Sequence, residues 1–120
     1  MKCLIVENEP AVRRVITAVL APLAPEIVEC TDGAHALAAY ETCHPDIVLM
    51  DIAMPELDGL SATRVITSAH PSARILILTN FDDAALREAA HAAGATAYVL
   101  KENLLVLVPL VQSLTAGNAC

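Results

Sequence analysis

The sequence contains very few aromatic residues: it has no tryptophan, two tyrosines and one phenylalanine among its 120 residues. A packed interior must therefore be built from aliphatic side chains, and a hydrophobic content of 56% supplies enough of them. A chain of this length is expected to form one domain with a sizeable core. We therefore predict a single domain over residues 1–120 with an aliphatic interior.

Basic residues are also scarce, since seven of them stand against fourteen acidic residues and the net charge is −7. An acidic domain does not bind nucleic acid through a basic face of its own. No apolar run reaches the roughly 18 residues of a membrane-spanning helix, and no signal peptide precedes the first predicted strand. These features predict a cytoplasmic domain that makes no membrane contact and reaches DNA only through a separate domain.

Glycine and cysteine patterns exclude two further classes. The four glycines are not clustered, so the Gly-rich phosphate loop of a nucleotide or flavin binder is missing. The four cysteines, at positions 3, 30, 43 and 120, show no CxxC spacing. They are expected to be free thiols in a reducing compartment rather than zinc ligands.

Short apolar runs alternate with helical patterns along the whole chain. Strands are predicted at residues 2–6, 26–30, 47–50, 74–78 and 96–100. Helices are predicted at about 10–21, 34–43 and 59–69, after Asp82-Asp83 to about 93, and at about 103–116. In the first helix, Arg13 and Arg14 are expected to face solvent. This alternation predicts a parallel sheet with right-handed crossovers and helices on both faces.

Polar side chains follow four of these strands at the point where each strand ends. Glu7 and Asn8 follow the first strand, Asp51 the third, Thr79 the fourth and Lys101 the fifth. The carboxyl ends of parallel strands meet at one edge of a sheet, where open α/β folds bind ligands. Carboxylate, amide, hydroxyl and ammonium groups together suit a divalent cation and a phosphoryl group.

Each of these residues also has a purely structural interpretation. Asp51 could only cap its strand or turn the chain. Lys101 could be a solvated charge, Thr79 a turn residue and Tyr98 a packed aromatic residue. The convergence of several strand ends favours the functional interpretation.

The last predicted helix is unusual because residues 104–111 include no polar side chain. Pro109 falls inside it and should kink the helix or delay its start to near residue 108. A core helix needs one apolar stripe rather than a whole apolar turn. The segment is therefore either deeply buried or, as we favour, an exposed surface that meets a partner, a second copy or a missing domain.

The chain resembles the receiver domain of two-component response regulators from Lys2 to about Gly117. Short motifs in a fixed order carry the resemblance: Val6-Glu7-Asn8-Glu9-Pro10, Val48-Leu49-Met50-Asp51, Met54-Pro55, Asp58-Gly59, Leu78-Thr79, Ala93-Gly94-Ala95 and Tyr98-Val99-Leu100-Lys101. Residues 79–83 further resemble the subfamily in which a LuxR/NarL/FixJ-type DNA-binding domain follows the receiver. The resemblance implies a flavodoxin-like (CheY-like) three-layer α/β fold, with a five-stranded parallel sheet in the order 2-1-3-4-5 and five helices.

The resemblance also implies a phosphoacceptor function. Asp51 would take a phosphoryl group from a sensor histidine kinase, and Lys101 would pair with the phosphoryl oxygens. Mg²⁺ would be held by Glu7, Asn8, Asp51 and the backbone carbonyl of Ala53. Beyond metal-dependent self-phosphotransfer and autodephosphorylation, the domain would not be an enzyme.

The same resemblance implies how the signal would leave the site. Thr79 would move toward the phosphoryl group and Tyr98 would turn inward after it. The surface of helix 4, strand 5 and helix 5 would change and would control a C-terminal DNA-binding domain that is absent from this chain. The apolar residues 104–111 are a candidate surface for a homodimer.

One departure from the family pattern opens an alternative. The second position of the acidic pair is Asn8, which offers a neutral oxygen and predicts weaker Mg²⁺ binding. The chain could instead be a phosphorylation-independent receiver that serves as a dimerisation or interaction module. A phosphatase of the haloacid-dehalogenase type is disfavoured, because that class needs a second Asp two residues after the first and Ala53 occupies this position.

Overall fold

The computed structural model describes residues 1–54 and 56–116. The strands in this part of the chain are β1 (Lys2–Val6), β2 (Glu26–Cys30), β3 (Ile47–Asp51), β4 (Ile75–Thr79) and β5 (Ala97–Leu100). The α-helices are α1 (Pro10–Leu20), α2 (Ala36–Cys43), α3 (Gly59–Ala69), α4 (Ala84–Ala92) and α5 (Leu107–Thr115). Two 3₁₀ helices span Ala21–Leu23 and Lys101–Val106.

The strands form one sheet in the order β2-β1-β3-β4-β5, and every neighbouring pair is parallel. This confirms the predicted strand order and direction. Asp51 lies opposite Leu78, and Thr79 lies opposite Leu100, at the carboxyl ends of the strands. The polar residues that follow the strands therefore share one edge of the sheet.

Two aliphatic layers cover the two faces of the sheet. On one face, residues such as Val48 and Met50 pack against α2, α3 and α4. On the other, residues such as Ile5 and Leu49 pack against α1 and α5. The central strands β3 and β4 are buried along their whole length, as expected for strands covered by helices on both sides. The predicted three-layer architecture and aliphatic interior are confirmed.

The described cysteines are free thiols, as predicted. Cys3 and Cys30 are buried and Cys43 is partly buried, while Cys120 lies outside the described residues. Burial raises the pKa of Cys3 to about 12, so this thiol stays protonated and unreactive near neutral pH.

Several predicted boundaries differ from the structure by one or two residues. The α2 helix begins at Ala36 rather than 34, because the Asp32 carboxylate accepts the His35 N–H at 2.9 Å and turns the chain first. The β4 strand runs from 75 to 79, so Thr79 is its last residue. The β5 strand begins at Ala97. Thr96, just before it, bonds Ile75 through its hydroxyl, which accepts the Ile75 N–H at 3.3 Å, and through its own N–H, which donates to the Ile75 carbonyl at 2.7 Å.

The last helix begins close to the delayed start predicted from Pro109 rather than at residue 103. Residues 101–106 form a 3₁₀ helix, and α5 begins only at Leu107. Pro109 is the third residue of α5, in the first turn, where its missing N–H costs nothing. It therefore delays the helix, close to the predicted residue 108, rather than kinking it. Gly117, which follows the predicted helix, lies outside the described residues.

Part of the apolar segment 104–111 is buried and part is exposed, so each of the two interpretations applies to some of its residues. Leu107 and Val111 are fully buried, as in an ordinary core helix. Leu105 and Val106, in the 3₁₀ helix, are 82% and 45% exposed. The large exposed apolar side chains of this segment therefore lie before α5, in the 3₁₀ helix. No helix in the described ranges 1–54 and 56–116 is long and apolar enough to cross a membrane.

Candidate functional site

A lysine and two carboxylates meet at the carboxyl edge of the sheet. Glu7 follows β1, Asp51 ends β3 and Lys101 follows β5. The Lys101 Nζ atom lies 2.8 Å from Glu7 Oε1 and 3.0 Å from Asp51 Oδ1. The structure thus brings together three predicted site residues that are separated by up to 94 positions in sequence.

This cluster is largely shielded from water. Glu7 is 1% exposed and Asp51 is 4% exposed. Burial raises the pKa of Glu7, and the neighbouring Asp51 raises it further, while Lys101 opposes both effects. Burial alone would lower the pKa of Lys101, but its hydrogen bonds to Glu7 and Asp51 outweigh burial and raise it. One ammonium between two carboxylates leaves a pocket with excess negative character.

One oxygen of this pocket has no hydrogen-bond partner within the described chain. Glu7 Oε1 is bound to Lys101, whereas Glu7 Oε2 is buried and unsatisfied. Burying an unsatisfied carboxylate oxygen is costly. A hard cation with oxygen ligands would relieve this cost and the repulsion from Asp51.

The start of α3 fixes the backbone around Asp51. The Gly59 N–H donates to the carbonyl of Ile52 at 2.9 Å. A Cβ atom on Gly59 would lie 1.9 Å from the carbonyl oxygen of Asp51, so only glycine allows this close approach. The side chain of Asp58 accepts the Ser61 N–H at 2.9 Å and caps the helix. The neighbouring Pro55, part of the Met54-Pro55 motif, lies outside the described residues.

The two remaining predicted metal ligands lie in loops at the same edge. Asn8 follows β1 and Ala53 follows β3, and both are exposed. No group of three or more His, Cys, Asp or Glu side chains in residues 1–54 and 56–116 is arranged to hold a metal. A cation at this edge would therefore combine the two carboxylates with neutral oxygens, and the ligand roles of Asn8 and Ala53 stay predictions.

Thr79 and Tyr98, which are predicted to move on phosphorylation, both hydrogen-bond the backbone of Phe81. Thr79 is buried, and its Oγ1 accepts the Phe81 N–H at 3.2 Å. The Tyr98 hydroxyl donates to the Phe81 carbonyl at 2.6 Å. The Arg87 guanidinium lies 4.5 Å above the Tyr98 ring and forms a salt bridge with Asp82 at 3.1 Å. The turn after β4 therefore holds both side chains in one arrangement.

Arg13 was predicted to face solvent, and this prediction was wrong. Its Nη1 atom donates to the Glu7 carbonyl at 2.7 Å, and its Nε lies 3.5 Å from Glu29 Oε1. Its side chain is only 14% exposed, whereas Arg14 is exposed as expected. Arg13 and Glu29 belong to different elements, so the sequence pattern alone did not indicate that they meet.

The fold and this edge define a doubly wound α/β domain with an acidic pocket at the carboxyl ends of its strands. Residues 3–108 match the family model described as the response regulator receiver domain. The chain belongs to this family of regulatory domains, as its motifs predicted.

Relatives and solved structures agree with this assignment. The transcriptional regulatory protein LnrK of Bacillus subtilis is 38% identical over 105 residues, which cover 85% of this chain and 47% of LnrK. The transcriptional regulatory protein PdtaR of Mycobacterium tuberculosis is 37% identical over 113 residues, which cover 92% of this chain and 55% of PdtaR. This chain thus spans about half the length of these curated relatives.

A crystal structure supports the fold independently. The two-component response regulator of the LuxR family from Aurantimonas has a TM-score of 0.86 and 33% identity, over 97% of this chain and 85% of that chain. A LuxR-family protein is thus among the similar solved structures, in agreement with the subfamily resemblance of residues 79–83.

Proposed function

We propose that this receiver domain accepts a phosphoryl group on Asp51 from a phosphohistidine of a sensor histidine kinase. The observation that carries the proposal is the 3.0 Å contact between Lys101 Nζ and Asp51 Oδ1 in a buried pocket. Phosphoryl transfer depends mainly on positioning and on charge stabilisation. Lys101 supplies a positive charge beside the carboxylate that would become phosphorylated.

In the proposed step, a carboxylate oxygen of Asp51 attacks the phosphorus atom and forms a P–O bond. The P–N bond to the kinase histidine breaks, and the histidine nitrogen keeps the electron pair. The product is an acyl phosphate on Asp51, which adds roughly −1.5 to −2 charge at one point. Lys101 pairs with the new phosphoryl oxygens.

Mg²⁺ is the cation that we propose for this pocket, and the residues present fit it. The unsatisfied Glu7 Oε2, the Asp51 carboxylate, the Asn8 side-chain oxygen and the Ala53 carbonyl are oxygen donors of the kind that Mg²⁺ prefers. When bound, the ion would neutralise negative charge on the phosphoryl oxygens. Because Asn8 is neutral, we propose weaker binding than an aspartate at this position would give.

We propose that Thr79 and Tyr98 report the phosphorylated state. The hydroxyl of Thr79 would hydrogen-bond the phosphoryl group and give up the Phe81 N–H that it now accepts. Tyr98, which holds the other side of Phe81, would then turn inward. A new charge that shifts an element between two conformations is a common form of switch. The two movements would therefore change the surface formed by α4, β5 and α5.

The names and lengths of the relatives support a proposal for what the receiver domain controls. Two of them are named as transcriptional regulatory proteins and are about twice as long as the aligned region. We therefore propose that the switched surface controls a C-terminal DNA-binding domain in the full-length protein, in the cytoplasm. The exposed Leu105 and Val106 are the proposed contact for a second copy of the chain.

The direct test is to incubate the chain with Mg²⁺ and a small acyl phosphate and to measure its intact mass. The wild type is expected to gain one phosphoryl group, and Asp51→Asn is expected to gain none. Asp58→Asn is the matched control, because it removes an exposed carboxylate from the same loop, and it should gain a phosphoryl group like the wild type. Absence of the gain in wild type, or an unchanged gain in Asp51→Asn, would exclude the proposal.

A second candidate function is an interaction module that works without phosphorylation. Asn8, which carries no charge, and the 82% exposed Leu105 favour it. Sedimentation velocity in the presence and absence of beryllium fluoride, a phosphoryl mimic, separates the two functions. Unchanged association would support the module, and a clear shift induced by the mimic would reject it.

A further inference from the structure

Arg13 joins three elements beside the pocket. It lies on α1, its Nη1 donates to the carbonyl of Glu7 at the end of β1, and its Nε faces Glu29 on β2. On its other side, Glu7 donates its N–H to the carbonyl of Cys30 at 2.9 Å. The backbone of Glu7 is therefore held on both sides, and the arginine provides one of the two attachments.

We infer that Arg13 is a positioning residue for the cation site: by holding the Glu7 carbonyl, it fixes where Glu7 and Asn8 present their oxygens. This inference rests on the proposed function, since it concerns the ion that the phosphoacceptor pocket would use. The carbonyl of Glu7 and the N–H of Asn8 belong to one planar peptide group. Fixing this carbonyl therefore fixes the direction in which the chain enters Asn8.

The contact has the properties that such a role requires. A guanidinium donor makes the hydrogen bond charge-assisted, and 2.7 Å is a short distance for an N–H donor. The Arg13 side chain is 14% exposed, so water competes little for its donors. Glu29, whose side chain is 49% exposed, lies 3.5 Å from Arg13 Nε and partly balances its charge.

The neutral Asn8 increases the importance of this support. A site with fewer negative ligands gains less from charge attraction, so correct placement of its oxygens contributes a larger share of the affinity. Residues that orient metal ligands typically change metal affinity by tenfold or more when they are replaced. Arg13 is the described side chain that holds the Glu7 carbonyl and is therefore the residue to replace.

The test compares Mg²⁺ binding by wild type, Arg13→Gln and Arg14→Gln, using calorimetry and the NMR shift of the Asn8 amide. Arg13→Gln is expected to bind Mg²⁺ roughly tenfold more weakly. Arg14→Gln removes an exposed charge from the same helix and should bind like the wild type. Equal affinity in wild type and Arg13→Gln, equal losses in both variants, or no Mg²⁺ binding by wild type would overturn the inference.

Phosphorylation kinetics distinguish positioning from general structural damage. In Arg13→Gln, the Mg²⁺ concentration needed for the half-maximal rate with an acyl phosphate should rise roughly tenfold. The rate at saturating Mg²⁺ should stay near the wild-type value, because Asp51 and Lys101 are untouched. A lower saturating rate with an unchanged Mg²⁺ requirement would contradict the inference.

A second variant covers the case in which Arg13→Gln does not fold. Arg13→Lys keeps the positive charge but loses the planar guanidinium, whose separate Nη1 and Nε atoms face the Glu7 carbonyl and Glu29. An intermediate Mg²⁺ affinity is therefore expected, and wild-type affinity would overturn the inference. A wild-type chain that binds Mg²⁺ but gains no phosphoryl group would contradict the proposed function alone. The Mg²⁺ comparison would then still decide the role of Arg13.

Discussion

At the scale of single residues, the charge balance around Lys101 is the central feature. Its ammonium lies within 3.0 Å of two carboxylates that are almost fully buried. Removing one member of a buried charge cluster leaves the others uncompensated, and this typically costs more than the intact cluster contributes. We therefore expect the lysine to stabilise the fold in addition to its proposed role in phosphorylation.

Replacing Lys101 by Gln should lower the free energy of unfolding by about 3 kcal/mol, because Glu7 and Asp51 would then repel each other without a cation between them. Chemical denaturation monitored by circular dichroism measures this change. Lys2→Gln is the control, since its salt bridge to Glu26 is largely exposed and its loss should cost about 0.5 kcal/mol. Similar losses in the two variants would show that the Lys101 cluster has no special stability.

At the scale of elements, the junction between β3 and α3 shows how a local motif positions Asp51. A helix was predicted from about residue 59, and α3 begins at Gly59. The position of the helix start was thus readable from local sequence, whereas the Asp58 cap and the close contact of Gly59 with the Asp51 carbonyl were seen only in the structure. The side chain of Arg13 is instead held by contacts that include β2, and Tyr98 contacts Phe81 in a different loop. Neither contact could be predicted from local sequence patterns.

Gly59→Ala should lower the free energy of unfolding by about 3 kcal/mol, because its Cβ would collide with the Asp51 carbonyl and force the helix away. Thermal unfolding with a denaturant series provides the measurement. Ser68→Ala, on the exposed side of the same helix, should change stability by less than about 0.5 kcal/mol. A Gly59→Ala protein as stable as the wild type would mean that α3 is not pressed against β3.

Because the side chain of Asp58 caps α3, the stability of the fold should depend on pH. Hydrogen bonding from the Ser61 N–H lowers the pKa of Asp58 below its ordinary value of 3.8. An acid with a lowered folded pKa contributes stability that is complete above the ordinary value and is lost as pH falls through the folded pKa. Asp58→Ala should cost about 1 kcal/mol at neutral pH.

Asp58→Asn separates the charge from the cap, because an asparagine side chain caps a helix about as well. Its deficit relative to wild type should be largest near neutral pH and should shrink as pH falls below 3.8. Urea unfolding across this pH range tests the sign. A deficit that grows in acid would contradict the assignment of Asp58 as an ionised cap.

At the scale of the whole molecule, sequence patterns were sufficient to predict the sheet and the polar residues at the carboxyl ends of its strands. Five apolar runs predicted the strands, and alternation with helices predicted their common direction. The start of α5 was not predictable in this way, because residues 104–111 are apolar throughout and offer no period to distinguish a 3₁₀ turn from an α-helix. Burial of Leu107 beside exposed Leu105 is a consequence of tertiary packing.

Leu105→Glu should weaken self-association of the chain by at least tenfold, because it places a charge in the proposed contact with a second copy. Its effect on the free energy of unfolding should stay within about 0.5 kcal/mol, since Leu105 is 82% exposed. Sedimentation equilibrium measures the association. Ser68→Glu adds the same charge elsewhere and should leave association unchanged, whereas equal weakening by both variants would indicate a nonspecific charge effect.

The central claim is that strand ends distant in sequence form one pocket that directs a phosphoryl group to Asp51. The most direct measurement is to phosphorylate the wild-type chain with an acyl phosphate and Mg²⁺ and then to digest it with trypsin. Fragmentation of the tryptic peptide 15–64 locates the added mass. We predict one phosphoryl group on Asp51. A phosphoryl group on any other side chain, or none at all, would contradict the account.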